Sequence, residues 1–184
     1  MTVTAAAVTD TDTVDPADAM AADVTSGFTV APPVVIEPCD QDFTPIPAIQ
    51  GSGASVAITG AVTTEGVVVA DYEGPSPALR GFYLQDPAGD GDPATSDGIF
   101  VFNGSNLNSV ALGDLVRITG TAGENQGQSQ VSVSSTNILN CGTGTVTPTD
   151  VTLPVASATH LERYEGMLTT FPQTLFVTEH FQLG

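Results

Sequence analysis

The sequence predicts an all-β protein, and three observations predict it. Val, Thr and Gly are abundant beside 13 prolines, a composition that favours strands and turns over long helices. Short runs of alternating apolar and polar residues recur between positions 62 and 134, the period of a half-buried strand. Between two such runs lies GDGDPATSDG (89–98), whose Asp-Gly and Asp-Pro steps are turn chemistry. With 184 residues, 18.7 kDa and 41% hydrophobic content, the chain can bury one domain and carry a tail or part of a second.

Residues 1–38 lack helical periodicity and end on Pro32, Pro33 and Pro38, so they read as an extended N-terminal arm or linker. Within them GFTVA (27–31) alternates as an edge strand would. Residues 39–144 carry the folded unit. Its first strand spans 62–72, where Gly66 marks a bulge or a sharp bend. The second covers 80–85 and the third 98–102, with Ile99 and Val101 on one face and Phe100 and Phe102 on the other. Gly113 and Asp114 turn the chain into a fourth strand, 115–121, and ENQG (124–127) turns it into a fifth, 128–134.

Five short strands at this spacing suit a small closed barrel of the oligonucleotide/oligosaccharide-binding (OB) type. Its third and fourth strands are often joined by a helix, but residues 105–112 leave room for one turn at most. A β-sandwich of the same strands is the structural rival. Residues 145–184 read as a linker and a partial second β unit: a helical turn over 161–166, then a C-terminal β-hairpin of 167–171 and 175–178. A hairpin alone is marginal in water and must pack on something.

Three Lys+Arg against 21 acidic residues give a formal charge of −18. Phosphate binding depends on cationic side chains releasing counterions, so unaided affinity for nucleic acid is expected to be weak. Such acidity suits solubility, divalent cations or a saline habitat. No run approaches the roughly 18 apolar residues needed to cross a bilayer. The first 22 residues lack Lys and Arg, and AAAV (5–8) is too short for a signal-peptide core. Either a signal has been removed or Met1 lies inside a longer protein. Cys39 and Cys141 bracket the expected barrel and read as a disulfide or as two buried thiols.

Two clusters could carry chemistry. Asp86, Asp90, Asp92 and Asp97 share one glycine-bearing loop, and closely spaced carboxylates are what Ca²⁺ takes. An EF-hand is excluded, since no helices flank the loop and its twelfth position is Asp97 rather than Glu; the competing reading is a solvated turn. Phe82, Tyr83, Phe100 and Phe102, with Arg80 and Arg117 nearby, lie on the second and third strands, where such barrels stack bases or sugars. Strand alternation requires some of these aromatics to fill the core instead. His160 and His180 are far apart, Glu179-His180 makes no acid/base pair, and no hydrolase ligand set is visible. Asn103-Gly-Ser105 matches a glycosylation sequon.

Several blocks in order, IQGSG (49–53), VTTEGV (62–67), RGFYLQDP (80–87), GDGDPATSDG (89–98), Gly113-Asp114, YEG (164–166), PQT (172–174) and TEH (178–180), resemble the N-terminal, non-catalytic region of secreted bacterial nucleases whose catalytic domain is of the endonuclease/exonuclease/phosphatase type. The resemblance covers about residues 39–184. It implies an OB-like barrel placed before a metal-dependent nuclease domain in an extracellular protein, which favours a Cys39–Cys141 disulfide. That family's catalytic residues would lie beyond Gly184, so none maps onto this chain. The expected function is thus an accessory module, contacting nucleic acid weakly or acting as a spacer, with a downstream nuclease domain as partner. The alternative is a self-associating extracellular filament or matrix subunit, in which an arm from one copy completes the sheet of another. Hydrolysis by this chain itself ranks last.

Overall fold

The computed structural model describes residues 2–3, 24–25, 38–39, 41–74, 79–104 and 108–177. The chain divides into two compact units, Met1–Pro33 and Val34–Gly184. In the first, β1 (Thr2–Val3) pairs antiparallel with β2 (Val24–Thr25). The strand expected over 27–31, and most of the expected arm, lie outside the described residues.

The second unit holds α1 (Ile46–Gln50), β3 (Gly60–Tyr72), β4 (Gly81–Gln85), β5 (Gly98–Phe102), β6 (Asp114–Asn125) and β7 (Gln128–Thr143). Strands β3 to β7 form a closed barrel in the order β3-β4-β5-β7-β6, and β6 returns to β3. Every pairing is antiparallel except β5 with β7, which is parallel. One sheet closing on itself in this order is the five-stranded OB-like architecture, and the two-sheet sandwich is set aside.

The alternation read from the sequence left open which face of each strand is the core, and the structure decides it. Phe82 and Leu84 of β4, Ile99 and Val101 of β5, and Val116 and Ile118 of β6 are fully buried in one core. Large apolar side chains of this kind each contribute roughly 1.5–3 kcal/mol on burial. In the connection between β5 and β6 the described residues form no helix. The barrel core is completed from the other side by α1, whose Ile46 and Ile49 are fully buried in it, and by Val110. Gln50 fixes α1 by donating from Nε2 to the Gly98 carbonyl at 2.5 Å.

Gly66 has a different role from the bulge expected there. The register shift of β3 falls between Val68 and Ala70, while Gly66 stays paired with Val116. A Cβ at Gly66 would meet Ile46 Cδ1 at 3.0 Å and the Gln85 carbonyl oxygen at 3.1 Å, so the glycine admits α1 against the sheet. Strands β6 and β7 run well past the ends expected at 121 and 134, as a long ribbon with register shifts at Leu115/Val116 and Ile118/Gly120.

Cys39 and Cys141 are disulfide-bonded, with Cα atoms 5.7 Å apart and a sequence separation of 102. Closing a loop of that size is worth about 4.7 kcal/mol in the chain-entropy account. The bond ties the segment entering α1 to the far end of β7.

Among the described residues the expected C-terminal hairpin is absent. Instead β8 (Thr149–Asp150) pairs in parallel with β9 (Thr169–Thr170), and a 3-10 helix, Ala158–Tyr164, lies between them; residues 175–177 are not in a strand. This region belongs to the same compact unit as the barrel. Its strap over 165–168 lies on β4 and β5: Ser96 Oγ donates to the Glu165 carbonyl at 2.6 Å, and Leu168 N–H donates to Gln85 Oε1 at 2.7 Å. Two strands this short gain little from pairing, so packing on the barrel decides their position.

Candidate functional site

Strand period places Tyr83, Phe100 and Phe102 on the outer face of the barrel, opposite the core residues. Register then makes rows of them: Ala70 is paired with Tyr83, Tyr83 with Phe100, and Phe100 with Gln130. Tyr83 and Phe100 rings lie 5.0 Å apart, tilted by 53°, and Tyr72 meets Tyr83 edge-on at 6.1 Å. Contacts of this geometry add about 0.5–1.5 kcal/mol beyond burial. Gly81 makes the row possible, because a Cβ there would collide with the Val101 carbonyl and the Phe100 ring.

The strap over 165–168 covers the Gln85 and Gly98 end of this face, and the end carrying Tyr72, Leu79 and Phe102 stays open. Tyr72 and Leu79 are exposed. Two hollows flank the aromatic row. One, about 240 Å³, lies between Tyr72, Tyr83 and the Met167–Leu168 strap. The other, about 280 Å³, lies between Leu79, Phe100 and Phe102 on one side and Asn125, Gln126, Gln128 and Gln130 on the other. Gln128 is oriented by its Nε2 donating to the Tyr83 hydroxyl at 2.8 Å.

The expected ligand-binding set therefore divides. Tyr83 and Phe102 lie on the open face, and Phe100 lies beneath it, buried. Arg80 is exposed at its edge, its guanidinium 5.6 Å from the Phe102 ring centroid and Nη2 donating to the Gly104 carbonyl at 2.5 Å. Phe82 and Arg117 leave the set, because both are 0% exposed. Phe82 fills the core. Arg117 sits opposite Glu65 in register and donates from Nη1 to Glu65 Oε1 at 2.7 Å and to the Gln41 carbonyl at 2.8 Å, and from Nη2 to the Asp42 carbonyl at 2.7 Å. That arginine binds the segment before α1 to the barrel wall. Its partners lie far away in sequence, so alternation alone assigned it to an open face.

Sequence reasoning passed over Tyr72, Leu79 and the amides of the β6–β7 turn. A signal for the amides was present: NQGQSQ (125–130) is richer in amides than a turn requires.

The acidic loop is built largely from its own hydrogen bonds. Asp86 Oδ1 accepts from the Ala88 and Gly89 N–H groups at 2.9 and 3.2 Å. Asp90 Oδ1 accepts from Asp92 N–H at 2.8 Å and from Thr95 Oγ1 at 3.0 Å, and Asp92 Oδ1 accepts from Ala94 N–H at 2.9 Å. These are the local turns that Asp favours. Asp97 points inward from the end of the loop, and its Oδ1 is buried without a hydrogen-bond partner among the described residues. Burial, then the charges of Asp90 and Asp86, raise its pKa above the usual 3.8. Among the described residues no three His, Cys, Asp or Glu side chains converge as a cation site, and Arg163 lines the cleft that Asp92 and Asp97 face.

Asn103 is buried, with Nδ2 donating to Glu73 and to Ser109 Oγ. Glu73 also accepts from the Ser109 and Val110 N–H groups at 2.7 and 3.2 Å. The sequon asparagine is thus engaged in fixing the β5–β6 connection. His160 lies beside Tyr164 in the 3-10 helix, and His180 lies outside the described residues.

No protein-family model matches the chain, and no curated protein matches it. Among the described residues no helix is long and apolar enough to cross a membrane.

Proposed function

We propose that this chain is a non-catalytic accessory module of an extracellular nuclease, spacing or presenting a catalytic domain and offering the outer face of β4 and β5 for contact. The observation that supports this most is the aromatic row Tyr72, Tyr83 and Phe100 on the second and third barrel strands, beside the β6–β7 turn. Barrels of this strand order bind oligonucleotides and oligosaccharides at that place. The disulfide suits an oxidising compartment. The nuclease context rests on the sequence blocks.

In this reading phosphodiester chemistry belongs to a companion domain, and contact with DNA is weak and assisted by cations. The charge of −18 opposes polyanions, Arg117 is neutralised by Glu65, and Arg80 is drawn onto Phe102. Ca²⁺ at the loop of Asp86, Asp90, Asp92 and Asp97 would offset the repulsion. Gel-shift titration with single- and double-stranded DNA, with and without Ca²⁺, tests the contact; plasmid nicking with Mg²⁺, Mn²⁺ or Ca²⁺ tests the absence of turnover. Expected are no nicking and retardation only at high protein concentration with Ca²⁺. Nicking by the purified chain, or tight binding without Ca²⁺, would overturn the reading.

Self-association is a second reading, favoured by the apolar run Leu175, Phe176 and Val177, which is 54%, 83% and 75% exposed. Strand addition needs a free edge, however, and a closed barrel offers none among its own strands. Sedimentation velocity over a rising concentration series separates the readings, with a monomer expected.

A further inference from the structure

A cleft of about 290 Å³ opens between the acidic loop and the 3-10 helix, and charges of opposite sign line its two sides. Asp92 and Asp97 belong to the loop, Arg163 belongs to the helix, and Tyr164 and Met167 supply apolar surface. Ligand sites run from roughly 300 to 1,000 Å³ and combine apolar walls with a few placed polar groups. This cleft is at the small end of that range.

Arg163 is the unusual member. The chain has three basic residues against 21 acidic ones, and the other two are engaged: Arg117 with Glu65, Arg80 with the Phe102 ring and the Gly104 carbonyl. Arg163 makes no ion pair and no hydrogen bond among the described residues, although two carboxylates share its cleft. Both sides are held by bonds of their own. The helix end is pinned by Ser96 Oγ donating to the Glu165 carbonyl at 2.6 Å, and the loop by Asp90 Oδ1 accepting from Asp92 N–H at 2.8 Å. Asp92 Oδ1 accepts from Ala94 N–H at 2.9 Å, which leaves Oδ2 for a ligand. Asp97 Oδ1 is buried, so Asp92 is the contact and Asp97 contributes through its charge.

We propose that this cleft binds a zwitterion the size of a dipeptide, with its carboxylate on Arg163 and its ammonium on Asp92. An anion without a cationic group meets two carboxylates and a net charge of −18. A cation without an anionic group meets Arg163, and a neutral molecule leaves both charges without a counterpart. A carboxylate matches the guanidinium fork with two parallel hydrogen bonds, and an ammonium brings three donors to the aspartate. A dipeptide sets its two charges about 3.8 Å farther apart than an amino acid does, so it spans a gap that Arg163 and Asp92 leave open between them. An apolar side chain on it would lie against Tyr164 and Met167. The assignment holds whether or not a nuclease domain accompanies the barrel, because it rests on the cleft alone.

The test is an NMR titration of the full chain at about pH 7 and low salt, where aspartate is ionised and charges are least screened. The probe is glycyl-leucine, beside N-acetylglycyl-leucine, which lacks the ammonium, and glycyl-leucinamide, which lacks the carboxylate. Glycyl-leucine is expected to shift the Arg163 Nε–H signal and the Thr95 and Thr149 backbone amides saturably, with a Kd in the millimolar range, since partly exposed ion pairs are weak. Each blocked form should bind about tenfold more weakly, as loss of a charge-assisted contact requires. Arg163→Gln should weaken glycyl-leucine about tenfold and leave glycyl-leucinamide unchanged; Asp92→Asn should weaken glycyl-leucine and leave the acetylated form unchanged. Either variant suffices if the other disturbs the fold. No saturable shift up to about 10 mM, where even very weak complexes register, would overturn the proposal. So would blocked forms that bind as well as the free dipeptide, or binding indifferent to Arg163→Gln and Asp92→Asn.

Discussion

Arg117 and Glu65 form a charged pair whose removal should be felt through one partner more than the other. The arginine is 0% exposed, and Glu65 supplies its counter-charge while the Gln41 and Asp42 carbonyls accept one hydrogen bond each from Nη1 and Nη2. Glu65→Ala leaves a buried guanidinium without its carboxylate, a change that costs about 3–5 kcal/mol. Arg117→Met leaves Glu65 nearer to solvent and should cost less, while also loosening the segment before α1. Urea unfolding of both variants measures the difference, and equal losses would show that the carbonyl contacts dominate. Asp97 gives a prediction of opposite sense. Its carboxyl is raised above 3.8 by burial first and by Asp90 and Asp86 next. The folded state therefore holds this proton more tightly than the unfolded one. The contribution to stability is fully present below 3.8 and is lost as pH rises through the elevated folded value. Asp97→Asn should raise the melting temperature at about pH 7 and change it little near pH 3, where both states are protonated. A variant less stable at neutral pH would show that the carboxylate has a favourable partner, and repeating the melt with Ca²⁺ would identify a cation as that partner.

At the scale of elements, the barrel strands were legible because one face of each is buried, and burial imposes a period of two. Spacing alone puts Phe82 with Leu84, and Ile99 with Val101, on one face each, but it does not say that this face is the core. The second half of β7 was not legible: Ser134 and Thr136 are exposed on it, so pairing with β6 rather than apolar alternation extends the strand. The candidate site was half legible for the same reason. Alternation put Tyr83 opposite Phe82, and Phe102 opposite Val101, without saying which faced outward, and it could not tell an open outer position from one covered by a distant segment, as happens at Arg117. Nor could it reveal the strap over 165–168, whose cause is a close approach between backbones. Gly98 has no positive φ, and a Cβ on it would collide with Gly166 and with Met167 N–H. Gly98→Ala should therefore push the strap off β5, at about 1–3 kcal/mol for the overpacking. Gly123→Ala, with nothing within 4 Å of the added Cβ, is its control. Hydrogen exchange at Leu168 N–H, which donates to Gln85, should accelerate in the first variant and not in the second. Unchanged protection would mean that the strap is anchored elsewhere, by Ser96 and Glu165.

For the whole molecule the governing quantity is a charge of −18 on 184 residues. Like charges repel more strongly in a compact state than on an expanded chain, so electrostatics works against folding. Salt screens such interactions over about 10 Å at 0.1 M. It has little access to the buried Arg117–Glu65 pair, so screening removes repulsion while leaving the main internal attraction intact. The melting temperature should rise with NaCl between low salt and about 0.5 M, most steeply at the low end where the screening length changes fastest. Specific cation binding to the acidic loop predicts something else: a stabilisation by Ca²⁺ that saturates, exceeds that of NaCl at equal ionic strength, and disappears in Asp90→Asn. Paired melts in NaCl and CaCl₂ at matched ionic strength distinguish the two. A melting temperature that falls as NaCl is added would show that surface attraction outweighs the net charge, contrary to a chain with three basic residues against 21 acidic ones.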